Sequence, residues 1–441
     1  MLHPYIIVAL ALALIILLSF KLKLHPFLSL FVGALFTGIL SGQAIESVIA
    51  QLISGFGTTL GQIGWIIAFG TLLGVLLEKT KATQIIVGYL LRWIGIRRAG
   101  LALNLTGFLV AIPVFCDAAF ILLSGINKGL QKKTGLPLSF FATALATGLY
   151  AAHVFVPPTP GPLAAAALLD ANLGYVLIGG LAIAFPVALV GYFWAKFTHK
   201  KELLQLQSFQ ASPKAPSARA TKVFLPILVP VLLIAFKAVG NYPELTLKQT
   251  WGFALLQFLG HPIIALCVGI GIAYFSNYTL LQNEKQLPQW ISDGLAQAGI
   301  IILVTGAGGA FGAVLKGLQI ADTLAATSAT PLLALTLIFG MAAVLKTAQG
   351  SSTVAIVTTA ALVAPILTTL GLANPLGKVC SVLAVGGGAL TVSHINDSYF
   401  WVVSQFSEMT PKQALKYYTT ATALQGVTAL GLLLLGYFLL S

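Results

Sequence analysis

Long apolar runs alternate with short polar segments along almost the whole chain. A helix needs roughly 20 mostly apolar residues to cross a bilayer, and many of the runs reach or approach that length. The runs cover residues 4–20, 24–42, 61–78, 173–195, 222–240, 261–281, 299–315 and 413–440. This pattern predicts an all-α polytopic membrane protein.

The composition indicates the same class of protein. Of the 441 residues, 58% are hydrophobic and 8% are charged, whereas soluble domains keep about a quarter of their residues charged. The net charge of +13 fits the excess of Lys and Arg in cytoplasmic loops of membrane proteins, so we expect no nucleic-acid partner. Cys116, Cys267 and Cys380 lie in apolar segments and fit no zinc motif. We therefore expect neither a metal nor another cofactor.

A polar, basic segment over 198–222 has the composition of a linker and divides the chain into two halves, 1–197 and 223–441. Both halves follow one order of apolar and polar segments. Their shared landmarks are the glycine motifs Gly70-x-x-x-Gly74 and Gly308-x-x-x-Gly312 and the amphipathic segments 82–98 and 318–330. We therefore predict two repeats joined by a cytoplasmic linker.

Each half also carries a predicted apolar hairpin (99–127; 331–370) and a long span broken by polar or proline residues (136–169; 375–406). The arms of the first hairpin are too short to cross a bilayer, so we predict a re-entrant path. About five spans plus one hairpin in each half make the second repeat inverted relative to the first. Placing the N-terminus outside puts most Lys and Arg in inner loops. Inverted repeats with broken helices place a binding site near the bilayer midplane.

The tip of the first hairpin, Ile112–Asp117, combines a proline with a carboxylate. A charge at the bilayer centre costs roughly 2.5–3.5 kcal/mol on the insertion scale. Asp117 is therefore a candidate for proton or cation coupling, the alternative being a carboxylate that caps the second arm.

The first broken span contains His153–Pro162, whose prolines and glycine cannot continue a helix. Unwinding there would create a new helix N-terminus next to Thr159 and Gly161, which suits an anionic substrate. The alternative is an external loop. His153 is either a coupling group or an ordinary core histidine.

The turn of the second hairpin, Lys346–Thr353, is rich in small hydroxyl residues. We predict that Lys346 is the counter-charge of the substrate, and that the polar and backbone groups after it bind the same molecule. These residues are Gln349, Gly350, Ser351, Ser352 and Thr353. The alternative is a helix-packing seam, which would explain the hydroxyls but neither the lysine nor the glutamine.

The second broken span holds the densest polar cluster, Ser393–Ser398. Its hydroxyls, amide and carboxylate are groups that a hard cation or a polyol would need. We assign Asn396 to substrate binding and Ser393, His394 and Asp397 to proton or cation coupling.

On these motifs the chain resembles the gluconate permease family of sugar-acid/proton symporters, which is grouped with the ion-transporter superfamily. The segments that carry the resemblance are Ile112–Asp117, His153–Pro162, Ala348–Thr353 and Ser393–Ser398. The resemblance implies two re-entrant hairpins, a scaffold domain that forms a homodimer, and an elevator-like movement of a transport domain. The family tends to have a basic residue at the position of Lys346. It usually has a histidine where this chain has Thr159, so a proton carried by that histidine would need another group here.

The expected function is uptake of a sugar acid such as gluconate with a coupled proton, or with sodium, across the inner membrane. Family members also carry glycerate or D-serine, so the substrate stays open. A cation/proton antiporter is the second class, although Lys346 and the hydroxyl-rich hairpin argue against it. An intramembrane hydrolase is disfavoured because no Gly-x-Ser-x-Gly motif is present. We therefore expect a transporter rather than an enzyme.

Overall fold

A computed structural model describes residues 4–22, 24–200, 203, 220–241, 251–281, 284–317, 330–395 and 397–441. All regular secondary structure in these ranges is helical. The first half contains α1 (Pro4–Phe20), α2 (Pro26–Leu40), α3 (Ile45–Lys79), α4 (Ala82–Ile94), α5 (Ala99–Val110), α6 (Cys116–Thr134), α7 (Leu138–Phe155), α8 (Pro160–Leu168) and α9 (Leu173–Thr198). The second half contains α10 (Ala220–Gly240), α11 (Trp251–Leu259), α12 (Pro262–Ser276), α13 (Tyr278–Leu281), α14 (Leu287–Lys316), α15 (Pro331–Gln349), α16 (Ser352–Val363), α17 (Pro375–Leu390), α18 (Ser398–Phe406), α19 (Pro411–Ala414) and α20 (Thr420–Leu440).

The prediction of an all-α polytopic membrane protein is confirmed. Among the described residues, seven helical segments are long and apolar enough to cross a membrane, and the pair α11–α12, bent by 75°, would make an eighth. One of the seven is α7 continued into α8, so the first broken span is counted as a single crossing. The inverted repeat, its boundaries and the re-entrant paths stay predictions. Most of the amphipathic segment 318–330 and most of the predicted linker lie outside the described residues.

Three element boundaries differ from the sequence prediction. Helix α3 begins at Ile45 instead of residue 61, because its first half, although interrupted by polar residues, packs closely on α14, with Gly55 against Gly309 and Ala313. Helix α11 has only nine residues and was too short to be predicted as a span. Helix α15 continues through Gln349, so Lys346 lies on its last turn and only Gly350 and Ser351 separate the two arms.

The helices pack in two groups, each drawn from both halves of the chain. In the first group α3 lies along α14, which also packs on α2, while α12 packs on α3 and α10. In the second group α7 packs on α5 and α9, and α17 packs on α15 and α20. The short helices α8 and α16 pack on each other and on α14, and α8 also contacts α3. The broken parts of both halves therefore meet at the junction of the two groups.

A buried asparagine holds the centre of the second group together. Asn104 on α5 is fully buried, and its Nδ2 donates to the carbonyls of Ala144 on α7 at 2.9 Å and Ala188 on α9 at 3.0 Å. Gln425 on α20 donates in the same way to the carbonyls of Thr147 and Val187, at 3.1 Å and 2.9 Å. Since hydrocarbon offers no other hydrogen-bond partner, these amides stabilise the helix packing.

We expect Asn104→Leu to lower the free energy of unfolding by about 1–3 kcal/mol, because interhelical hydrogen bonds in membranes contribute about 0.6 kcal/mol on average and up to about 1.7. Thermal unfolding in detergent measures the effect. The matched control is Asn241→Leu, which removes an exposed pair with Gln257. An Asn104 variant no less stable than that control would contradict the prediction.

Candidate functional site

A buried ion pair joins the second hairpin to the second broken span. The Nζ of Lys346, on the last turn of α15, lies 2.6 Å from Oδ2 of Asp397, just before α18. The Lys346 side chain is 1% exposed and Asp397 is also buried. The charge that the sequence assigned to a substrate carboxylate is therefore matched here by a carboxylate of the protein.

Both members of the pair have further partners. The Oγ of Ser393 donates a hydrogen bond to Oδ2 of Asp397, and Oδ1 accepts from the backbone N–H of Tyr399 at 3.1 Å, so Asp397 is the N-cap of α18. The ammonium of Lys346 also donates to the carbonyl of Gly350 at 3.0 Å. Multiple hydrogen bonds are what make a buried ion pair tolerable.

The second break is an extended stretch between α17 and α18. Val392 adopts φ of +57°, which is rare for a β-branched residue and stores strain. The backbone N–H of Ser393 donates to Thr422 at 3.0 Å, and its carbonyl accepts from Thr419 at 2.6 Å. The carbonyl of His394 accepts from the N–H of Asp397 at 2.8 Å. Hydroxyls of the last spanning segment thus pair with backbone groups that the break leaves without helical partners. The predicted substrate-binding residue Asn396 lies outside the described residues.

Two tyrosines that were not among the predicted site residues enclose the ion pair. The Tyr150 ring centroid is 5.9 Å from Nζ of Lys346, and its hydroxyl donates to the carbonyl of Ala389 at 3.1 Å. Tyr399 packs on Tyr150 with ring centroids 5.4 Å apart, and its hydroxyl donates to the carbonyl of Ala146 at 3.3 Å. Each tyrosine bonds the opposite half of the chain. The available signal was that Tyr150 is one helical turn from His153, a position also typical of ordinary core aromatics.

The first break borders a narrow cleft with a volume of about 10 Å³, room for about one water molecule. Its walls come from α3, the first hairpin tip and the first break: Gly70, Thr71, Pro113, Val114, Phe115, His153, Pro158, Thr159 and Pro160. Gly70 and Thr71 were not among the predicted site residues. A wider crevice lies among α9, α17 and α20 and is lined almost wholly by apolar side chains, so it offers a polar solute few partners.

The helix that starts at the first break offers an anion fewer donors than predicted. Thr159 is the N-cap residue of α8, but its hydroxyl donates back to the carbonyl of Val156 and accepts no amide hydrogen bond. Pro160 and Pro162 have no N–H, so Gly161 is the one residue of the first three helical positions with a backbone donor. A single amide and a helix dipole attract an anion only weakly.

Three predicted site residues carry buried polar atoms with no hydrogen-bond partner among the described residues. These atoms are Oδ1 of Asp117, Nδ1 of His153 and both polar atoms of the Gln349 amide. Asp117 and His153 both interact electrostatically with Lys346 and Asp397. An unpaired buried polar group costs about 1–3 kcal/mol, so a polar ligand that bonded these atoms would be stabilised by them.

The second hairpin tip lies beside the ion pair. Gly350 has φ of +78°, a conformation that favours glycine, and ends α15. Ser351 caps α16 by accepting from the N–H of Val354 at 3.4 Å, and Ser352 reaches the Tyr150 side chain. Thr353 follows on the first turn of α16. The structure thus brings Lys346, Gly350, Ser393 and Asp397 into direct contact.

Comparison with known proteins assigns the chain to a family. The family model "GntP family permease" matches residues 3–439. The gluconate permease of Pseudomonas aeruginosa is 31% identical over 434 residues, covering 96% of this chain and 94% of that protein. The D-serine transporter DsdX of Escherichia coli K12 is 32% identical over 456 residues, covering 98% and 96%.

A solved structure supports the fold. The crystal structure of the Alcanivorax borkumensis YdaH transporter, described as having an unusual topology, matches with a TM-score of 0.65 at 17% identity, over 89% of this chain and 88% of that one. The resemblance to the gluconate permeases predicted from the four polar motifs is confirmed. The chain therefore belongs to the GntP family of permeases, and it is a multi-pass membrane transporter.

Proposed function

We propose that this protein takes up a small sugar acid such as gluconate, together with a proton, across the inner membrane. The observation that carries the proposal is the buried Lys346–Asp397 pair at 2.6 Å, set among the unpaired polar atoms of Asp117, His153 and Gln349. A sugar acid has one carboxylate and several hydroxyls, which are the groups that a lysine and such polar atoms bind.

The substrate carboxylate would bind Lys346 and the backbone N–H groups at the start of α16. The substrate hydroxyls would bind Gln349, Ser351, Ser352, Thr353 and Asn396. The amide of Gly161 and the side chains of Thr159 and His153 would line the opposite wall of the site, at the cleft beside the first break. A proton held at Asp117, Asp397, His153, Ser393 or His394 would couple the two fluxes. We also propose a homodimer, as the family resemblance implies.

The relatives leave the substrate open, since their names include both a gluconate permease and a D-serine transporter. Another small carboxylate such as glycerate or D-serine is therefore the second candidate. Sodium would replace the proton if carboxylate and hydroxyl oxygens formed a cation site. A cation/proton antiporter would use the same carboxylates without an organic anion, and the buried lysine is the feature that argues against it.

Uptake into proteoliposomes tests the proposal. With an inward proton gradient, we expect radiolabelled gluconate to accumulate above its external concentration, and a protonophore to abolish the accumulation. A parallel series with D-serine, glycerate and an imposed sodium gradient separates the alternatives. Failure of every carboxylate to enter the vesicles would overturn the proposal, and gluconate uptake that ignores the pH gradient would remove its proton-coupled part.

A further inference from the structure

We propose that Asp397 is the coupling group, and that it acts as an internal substitute for the substrate carboxylate on Lys346. A proton that neutralises Asp397 releases the lysine, and the incoming carboxylate takes the place of the Asp397 carboxylate. This inference rests on the proposed function and selects one residue from the five coupling candidates.

The geometry of the pair supports this exchange. Oδ2 of Asp397 lies on the ammonium of Lys346, while Oδ1 is held by the N–H of Tyr399. Neutral Asp397 keeps the cap through Oδ1, and its new O–H at Oδ2 can donate to Oγ of Ser393, reversing the present hydrogen bond. Lys346 keeps its bond to the Gly350 carbonyl and stays at the hairpin tip. Protonation of Asp397 therefore frees one hydrogen-bond donor of the Lys346 ammonium, while the hydrogen bonds that hold the second break stay in place.

Charge balance links the binding of the proton to the binding of the anion. Lys346 and Asp397 together carry no net charge, so adding an anion alone would leave a net negative charge in a buried, membrane-embedded place. Such a charge is costly when it has no partner. One proton from water onto Asp397 and one carboxylate onto Lys346 leave the pair's net charge unchanged. The proton and the anion therefore enter together, one for one.

Other titratable groups surround Asp397, so the assignment must be tested against them. They are Lys346 on α15, Tyr399 on α18, Tyr150 and His153 on α7, Cys116 and Asp117 on α6, Tyr418 in the π-helical segment before α20, and the neighbouring His394. Asp117 is the other carboxylate among these groups. Unlike Asp397, it forms no ion pair with the lysine among the described residues, so its protonation releases no cation.

The test is ligand binding as a function of pH on detergent-purified full-length protein, read by thermal shift. The ligand is whichever of gluconate, glycerate and D-serine binds the wild type. We expect the wild-type Kd to fall by about tenfold for each unit of decrease in pH, the linkage for one proton bound with each anion. In Asp397→Asn the cap is kept and the lysine is always released, so Kd should change by less than about threefold between pH 6 and pH 8. The same variant should exchange labelled for unlabelled substrate but fail to accumulate it.

Asp170→Asn is the matched control, because it also removes a carboxylate paired with a lysine of the other half, Lys378 at 2.6 Å, but at an exposed position. It should keep the wild-type pH dependence. The inference is overturned if Asp397→Asn keeps that dependence, or if Asp117→Asn removes it instead. Binding of no carboxylate to the wild type would refute the proposed function itself, and the inference with it.

A measurement on the wild type keeps the inference testable if Asp397→Asn does not fold. Adding the ligand to weakly buffered protein should take up about one proton per bound molecule, followed with a pH indicator, according to the same linkage. Infrared difference spectra should show a new protonated carboxyl band on binding. Ligand binding without proton uptake and without that band would overturn the exchange.

Discussion

Replacing Lys346 with Met should weaken sugar-acid binding by at least about 30-fold and abolish uptake. Truncating one partner of a buried, hydrogen-bonded charge pair costs about 2–5 kcal/mol of binding, and the lower end of that range corresponds to about 30-fold in Kd. The same variant should lose about 3–5 kcal/mol of stability, because Asp397 is left buried without its cation. Equilibrium binding, proteoliposome uptake and thermal unfolding measure the three effects.

A double variant separates the two roles of the lysine. Lys346→Met combined with Asp397→Asn removes both charges, so most of the lost stability should return, whereas binding and uptake should not. Lys378→Met is the control, since its partner Asp170 is largely exposed and surface pairs contribute about 0–1 kcal/mol. Recovery of uptake in the double variant would show that Lys346 serves only to neutralise Asp397.

The breaks in the helices could be predicted because they are local. The prolines of residues 157–162 cannot sit in a helix, and the polar run 393–398 interrupts an apolar span, so both positions follow from the chain alone. The structure has α7 ending at Phe155 and α8 starting at Pro160, and α17 ending at Leu390 and α18 starting at Ser398. The clustering of polar groups at these breaks follows from the same reasoning, because an apolar environment tolerates them only where they have partners.

The partners themselves could not be predicted, since they depend on packing between distant elements. Nothing in the spacing of Lys346 and Asp397 shows that their charged atoms lie 2.6 Å apart. For this reason the sequence assigned the lysine to a substrate carboxylate alone. Tyr150 and Asn104 were missed for a related reason. A lone tyrosine or asparagine in an apolar helix has the same local pattern whether it supports a site or only the core.

The role of one glycine also could not be predicted from the sequence. The sequence singled out Gly70 and Gly74 as a repeat marker, and small residues of this kind are common in membrane helices. The structure gives Gly74 a specific role, because a Cβ built there would lie 2.4 Å from the carbonyl oxygen of Pro113. Helix α3 thus touches the backbone of the first hairpin tip, four residues before Asp117. This close approach is where the two groups of helices meet beside the cleft.

Gly74→Ala should therefore lower the uptake rate by about a hundredfold. The obstacle is a backbone atom, so the hairpin tip must move by about 1 Å to restore ordinary contact, and a displacement of that size beside a site can cost about a hundredfold in rate. Two other glycines on α3 make a graded series. A Cβ at Gly70 would lie 3.5 Å from Pro158, an ordinary contact, and one at Gly64 would meet nothing within 4 Å. Uptake should fall in the order Gly64→Ala, Gly70→Ala, Gly74→Ala, with Gly64→Ala close to wild type, since alanine at an open position only favours the helix, by up to about 1 kcal/mol. Initial rates of uptake, normalised to the amount of reconstituted protein, give the comparison. Equal rates for all three variants would mean that the hairpin tip does not need its present contact with α3 for transport.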